Sequence, residues 1–394
     1  MNYFGWIDFS RRDRDIVRDI IESLNEPKAV DELGIGVIRD AFADYFFPGT
    51  STIQTIAKYF FLVSYQLEEL TRSPSPYQNL EHALRKMEHE CSLAMWKSLS
   101  PSEQKNGNAG IFGRTFFERG SREWVKRAPS MVYWGGIRKL GLLKCDNSAL
   151  SLTDFLRIST IQESAPAESD EDLKKGKNTT AGYENSWHWN LPPVDVRGDW
   201  EKSPQVKLAM GEATFFIGQI RKEMPDSMFA LLVNYRSKLP DNFTMLGNLP
   251  LPEHLKEAWQ LAYDFSEFIR PAQIRFNMLL GNTTATEEWE KYSKKKLKRL
   301  AKDVDLTAIF TMLQIEKHRK LRFFLDNLRN IYSSADMEAF DQLLFDREKE
   351  LKGKARMKLG KKDPYYQDVQ VGSFGLDYRY RTAYRLLKDT EEVQ

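Results

Sequence analysis

The side chains best suited to hold a polyanion are concentrated towards one end of the chain. The run KYSKKKLKRLAK at 291–302 sets Lys294, Lys295, Lys296, Lys298 and Arg299 close together; Lys317, Arg319, Lys320 and Arg322 follow, and KGKARMKLGKK at 352–362 adds Lys354, Arg356 and Lys358. Cations at this density can track a phosphate backbone, each contact releasing counterions and steepening the salt dependence of binding. Tyr292, Phe323, Tyr365, Tyr366, Tyr378 and Tyr380 lie among or beyond them and offer planes on which unpaired bases can stack. The bland alternative is a solvated lysine-rich helix surface. Arg138 and Lys139 form a second basic candidate.

Three other groupings could do chemistry. Gly49, Thr50, Ser51 and Thr52, in FFPGTST at 46–52, could cradle a phosphate with their hydroxyls and the free N–H groups of a following helix, or could simply be a capped turn. Asp8, Asp31, Glu32, Asp40 and Asp44, with Arg39 and Lys58 nearby, could hold magnesium for a nuclease, or could cap helices and pair on their surfaces. His82 and His89 are seven apart, wider than the usual zinc spacing on a helix, and Arg85 lies between them. No GxxxxGK[ST] loop and no serine or cysteine triad signature is present, so no catalytic residue, metal ligand or cofactor is assigned.

Helices must position these groups. Ile16, Val17, Ile20, Ile21 and Leu24 repeat at helical spacing. Asp31 can cap a second helix with Ile35, Ile38, Phe42 and Phe46 on one stripe, ended by Pro48-Gly49. A third is predicted to open at Thr50 or Ser51 with Ile53, Ile56, Tyr59, Phe60 and Val63 inward, and a fourth to run from Leu80 to Leu99. Between 107 and 157, two short helices split at Arg127-Ala128-Pro129, with Pro129 first in the second and Gly141 closing it, are followed by Leu142–Cys145 and Leu150–Leu152 as a hairpin. That order suggests a small winged helix-turn-helix module with Arg138 and Lys139 on its recognition helix.

Further along, ESAPAESDEDLKKGKNTTAG reads as a linker and WHWNLPPVD as an extended strap, clamped by Trp187 and Trp189. Leu208, Phe215, Phe216 and Ile220 mark one helix. Leu255 to Ile269 mark another, interrupted at Pro271. Leu306 to Leu328 mark a single long one. The expected organisation is a mainly α, multidomain protein: a helical domain at 1–100, the winged-helix module at 101–162, linker and strap at 163–200, a helical domain at 201–290 and a basic helical region at 291–394.

Composition limits the function classes. With 394 residues, 41% hydrophobic and 29% charged, the chain can bury ordinary cores. Two cysteines exclude a disulfide framework, and no apolar run reaches the roughly eighteen residues of a spanning helix, so a cytoplasmic protein without membrane partners is expected. The net charge of +2 is unevenly spread: residues 291–394 carry +8 and residues 1–290 carry −6. A basic end on an acidic body suits a protein that meets nucleic acid, DNA in the first instance, at one end.

GWIDFS at 5–10, VDELGIGVIRDAFADYFFPGTSTIQTIAKYFF at 30–61, PSMVYWGGIRKLGLL at 129–143 and LDYRYRTAYRLL at 376–387 resemble an uncharacterised bacterial domain family, along essentially the whole chain. Ile56 stands where that family has an arginine. The resemblance implies no assigned activity and a setting near restriction and phage-defence genes, often with helicases. The resulting expectation is a non-catalytic accessory subunit of an anti-phage defence system that binds nucleic acid and partner proteins such as a helicase. A nuclease using the N-terminal carboxylates and a scaffold bridging a helicase and an effector are the alternatives.

Overall fold

The computed structural model describes residues 31–72, 79–106, 110–121, 123–145, 150–164, 187–361, 363–372 and 375–393. The chain is mainly α-helical. Its principal elements are α1 (Gly36–Phe46), α2 (Lys58–Arg72), α3 (Leu80–Ser98), α4 (Pro129–Lys139), β1 (Leu143–Cys145), α5 (Leu152–Ser164), β2 (Trp187–Trp189), α6 (Met210–Glu223), α7 (Glu253–Leu279), α8 (Thr283–Trp289), α9 (Lys294–Asp303), α10 (Leu306–Met312), α11 (Arg319–Ser334), α12 (Met337–Arg356) and α13 (Tyr380–Asp389). Two compact units result, one from residues 1–40 and 260–376, the other from 41–259 and 377–394, with boundaries inside or beside α1, α7 and α13. The helix expected around Ile16–Leu24 lies outside the described residues.

The larger unit is built around α2. Every residue of α2 from Lys58 to Leu70 except Glu69 is buried, as expected of a helix enclosed on all sides. Phe60 meets Tyr133 of α4 edge-on, with ring centres 4.8 Å apart, and lies 5.3 Å from Phe216 of α6. Pro129 occupies the first turn of α4, where its missing N–H is harmless, and Gly141 takes a left-handed φ of +64° to end it. α3 spans nearly the predicted range, capped by the Asn79 side chain accepting from the His82 N–H.

Helix α2 starts later than the sequence suggests, at Lys58 instead of Thr50 or Ser51. The physical reason is competition for backbone groups. Gln54 Oε1 accepts the Ser51 N–H while its amide donates to Gly49 O, and the Tyr133 hydroxyl accepts the N–H groups of Thr55 and Ile56 and donates to Ile56 O. Residues 51–57 are therefore an irregular turn and Ile53 is exposed. The N–H of Ala57, just before α2, is met from far along the chain, where Asp389 at the end of α13 accepts it at 2.6 Å.

The described residues do not show the expected winged helix-turn-helix. Residues 123–128 are non-helical, and β1 pairs antiparallel with β2 in the register Leu143↔Trp189, Lys144↔His188, Cys145↔Trp187, whereas Leu150–Leu152 leads straight into α5. Phe155 on α5 decides this pairing: Trp187 and Trp189 both set ring edges against it, at 5.3 and 5.9 Å. The strap is clamped as predicted, but as the missing strand of that sheet.

In the smaller unit, α7 runs through Pro271 without interruption. Phe268, Ile269, Ala272, Ile274 and Phe276 are all buried around the proline, so packing outweighs the one lost hydrogen bond. The long helix expected over 306–328 is two helices. Gln314 adopts a left-handed φ of +55° while Ile315 N returns to Phe310 O and Gln314 N to Thr311 O, which closes α10 in a Schellman turn. α9 packs against α11, and α11 against α12.

Candidate functional site

Helix α9 has the sequence KKKLKRLAKD, with Ser293 capping it by accepting the Lys296 N–H at 3.2 Å. Leu297 and Ala301 are its buried face. Lys294, Lys295, Lys298 and Lys302 point outward, and none has an acidic partner among the described residues. Lys296 lies 4.0 Å over the ring of Tyr292, and Arg299 pairs with Asp303 at 3.2 Å within the helix. Lys317, between α10 and α11, and Arg319, the first residue of α11, are likewise exposed and outside any ion pair among the described residues.

The remaining cations of the basic region are engaged within the fold to different degrees. Lys320 meets Glu350 at 3.2 Å while staying largely in solvent. Arg322 donates to Asp326 at 2.9 Å and lies over Phe310. Lys358 and Lys352 both donate to Glu32 Oε1, at 2.7 and 3.0 Å, and these two ammonium groups hold the Glu32 carboxyl below its ordinary range against the opposing effect of burial. The fully buried Glu348 accepts the N–H groups of Lys358 and Leu359, fixing the turn after α12. Arg356 donates to Lys352 O, and Lys354 is exposed. The 352–362 run is thus in large part structural.

The six aromatic candidates separate in the same way. Tyr378 and Tyr380 are buried in the larger unit, against Phe243 and Phe47. Tyr292 and Tyr366 are half-buried under Lys296 and Lys358. Phe323 and Tyr365 remain, 70% and 62% exposed.

The 46–52 turn sits elsewhere, in the larger unit. Gly49 has a φ of +80°, and a Cβ there would stand 3.1 Å from Lys139 Cβ. The Thr50 hydroxyl donates to Phe47 O at 2.6 Å, so it serves the turn itself. Ser51 and Thr52 do not begin a helix, so the row of free N–H groups expected behind them is absent. An open cavity of about 370 Å³ lies beside the turn, bordered by Asp44, Ser51, Gln54, Gly135 and Lys139. Asp44 is paired with Arg379, which also donates to Thr50 O. Arg138 donates to Leu150 O and lies against Trp134, so of the two cations on α4 only Lys139 projects into solvent.

The acidic candidates do not converge. Asp31 Oδ1 accepts the N–H groups of Leu33 and Ile35, Glu32 holds its two lysines, Asp40 pairs with Arg39, and Asp44 with Arg379. Lys58 is buried against Glu212 at 2.6 Å, and Asp8 lies outside the described residues. His89 packs against Trp124 and Phe117. Among the described residues no group of three or more His, Cys, Asp or Glu could hold a metal ion, and no helix is long and apolar enough to cross a membrane.

The comparison with protein families decides the relationship. The model of a family of unknown function, DUF6361, matches residues 1–305. The chain belongs to this family. The match takes in α9 and the motifs at 5–10, 30–61 and 129–143, whereas LDYRYRTAYRLL at 376–387 lies beyond it, so the kinship covers less of the chain than the sequence resemblance suggested. No curated protein and no solved structure matches the chain.

Two features escaped the sequence reading. One is a pair of buried charge contacts joined through Tyr65: Lys58 and the Tyr65 hydroxyl donate to Glu212, while Arg197 donates to Glu68 and lies over the Tyr65 ring. The other is the ridge of α11 that carries Phe323 away from the core, which a helical projection of 319–332 would have shown.

Proposed function

We propose that this DUF6361 protein is a non-catalytic accessory subunit that binds nucleic acid, DNA in the first instance, along α9 and the start of α11. The observation that carries this reading is that Lys294, Lys295, Lys298 and Lys302 stand on one solvent-facing helix with no acidic partner among the described residues. Lysines held close together repel one another, and a phosphate backbone relieves that repulsion while releasing its own counterions. Holding, as opposed to cleaving, is supported by Asp31, Glu32, Asp40 and Asp44 each being engaged by partners of their own. The phage-defence context and a helicase partner, which the family resemblance implies, belong to the same proposal, as does the cytoplasmic setting expected from composition.

The test is a gel shift on single- and double-stranded DNA across a range of salt, with Lys294, Lys295 and Lys298 changed to Glu. Binding that falls with salt in the wild type, and is lost in the variant, is expected. Equal binding by both proteins would remove α9 as the contact. Stable capture of a helicase by a chain with no affinity for DNA would favour the scaffold instead.

A further inference from the structure

We infer that the nucleic acid held by this region is single-stranded, with an unpaired base stacked on Phe323. The inference rests on the polyanion reading of α9. It adds the form of strand that reading leaves open.

Leu321, Phe324, Leu325, Leu328 and Tyr332 make the buried side of α11. At about 100° per residue, Phe323 lies roughly 200° around the helix from Leu321, on the opposite side. Its ring is 70% exposed, and no ring or cation stacks on it among the described residues. The core therefore gives no reason for an aromatic here. A polar side chain at this position would avoid the cost of leaving a phenyl ring in water.

The neighbours on the ridge are those a strand would need. Arg319 lies one turn before Phe323, Asn327 one turn after and Asn330 two turns after. A guanidinium suits a phosphate or the face of a base, and the two amides suit base edges. Asp326, three residues after Phe323 on the same helix, is held between Arg322 and Arg329 at 2.9 and 3.3 Å, so its charge is neutralised locally. A duplex keeps its base faces stacked inside and would meet only the cations. A single strand can offer a base to the ring as well, which is how an exposed aromatic one turn from Arg319 and Lys320 discriminates between the two.

The test compares affinities for an oligothymidylate of about 20 nucleotides and for a duplex of the same length, a span that covers the roughly 4–16 nucleotides typical of one single-strand site. Phe323→Ala should weaken the single strand by about 5- to 100-fold, the range set by one lost stacking contact, and leave the duplex and both salt slopes unchanged. Phe323→Trp should keep or strengthen single-strand binding. If Phe323→Ala binds both forms as the wild type does, or loses both equally, the stacking role is overturned while the lysine variants can still support the contact on α9. If the wild type binds neither form, the underlying reading falls and this one with it. Because Phe323 is largely exposed and outside the buried side of α11, its replacement should leave folding intact, and far-UV circular dichroism of the variant should match the wild type.

Discussion

Two adjacent glycines in α4 should respond to the same substitution with opposite signs. A Cβ at Gly135 would meet nothing within 4 Å, whereas one at Gly136 would stand 2.4 Å from Gly49 O, 2.5 Å from Phe60 Cε1 and 3.1 Å from Gln54 Nε2. Both positions are in a helix interior, so Gly→Ala brings each about 1 kcal/mol of helix propensity. At Gly135 nothing opposes it. At Gly136 a backbone carbonyl must move by more than half an ångström, an overpacking cost of about 1–3 kcal/mol, and the movement breaks the Gln54–Gly49 hydrogen bond for about 1 kcal/mol more. Gly135→Ala should therefore stabilise by up to about 1 kcal/mol and Gly136→Ala destabilise by about 1–3 kcal/mol. For a unit of this size 1 kcal/mol moves Tm by about 2–4 °C, so the two variants should melt about 4–16 °C apart in thermal unfolding followed by circular dichroism. Two shifts of the same sign, or a less stable Gly135→Ala, would refute the packing of the 46–54 turn on α4.

The buried charges give two more expectations. Glu212 accepts from Lys58 Nζ, Tyr65 OH and Ala209 N, so Glu212→Ala should cost about 3–5 kcal/mol by stranding the Lys58 ammonium, while Lys58→Met with Glu212→Leu should cost far less; urea unfolding of the three proteins measures both, and a loss under 1 kcal/mol in the single variant would contradict the pairing. Burial pushes Glu88 up to about 7 from an ordinary value of 4.5, so the folded chain keeps a proton that the unfolded chain releases, and about 3 kcal/mol of stability is lost as pH rises from about 4.5 to 7 and no more above it. Glu88→Gln keeps the acceptor for Ser130 N and abolishes that loss, so its stability relative to the wild type should grow across this window. Asp389, raised to about 6, titrates alike in both proteins and cancels; a difference that does not change with pH would count against the assignment.

What the sequence revealed was what local signals control. The stripe of Ile38, Phe42 and Phe46, the proline that opens α4, the glycine that closes it and the start of α3 at Leu80 all rest on signals within a few residues. The errors arose where distant groups win. Residues 51–57 fail to join α2 because Tyr133, nearly eighty positions on, takes their N–H groups. β1 pairs with Trp187–Trp189 instead of the adjacent segment because Phe155 gives those rings a surface. The division between α10 and α11 turned on Gln314 accepting a left-handed conformation, a choice its residue type hardly signals. In the basic region, Lys294, Lys295 and Lys298 project as the spacing implied, whereas Lys358 does not, because its partner Glu32 is more than three hundred residues away.

This separation of cations changes what the net charge of the last quarter means. Its +8 is not one surface, because Lys352, Lys358 and Arg347 are bound to Glu32, Glu348, Glu350 and Leu33 O, and stripping them for a ligand would leave buried carboxylates unpaired. On α9 and at the start of α11 the cations available without such a cost are Lys294, Lys295, Lys298, Lys302, Lys317 and Arg319, and Lys291, Lys349 and Lys354 are likewise exposed outside any ion pair among the described residues. Six phosphate contacts on duplex DNA give a slope of log K against log salt of about −5, and about −4 on a single strand. If every cation from 291 to 362 took part, the slope would be far steeper than −10 on the same scale. A measured value near −5 therefore requires the ion pairs beneath α12 to stay closed when nucleic acid binds, and a much steeper one would mean that they open, with a stability loss that unfolding of the complex would register.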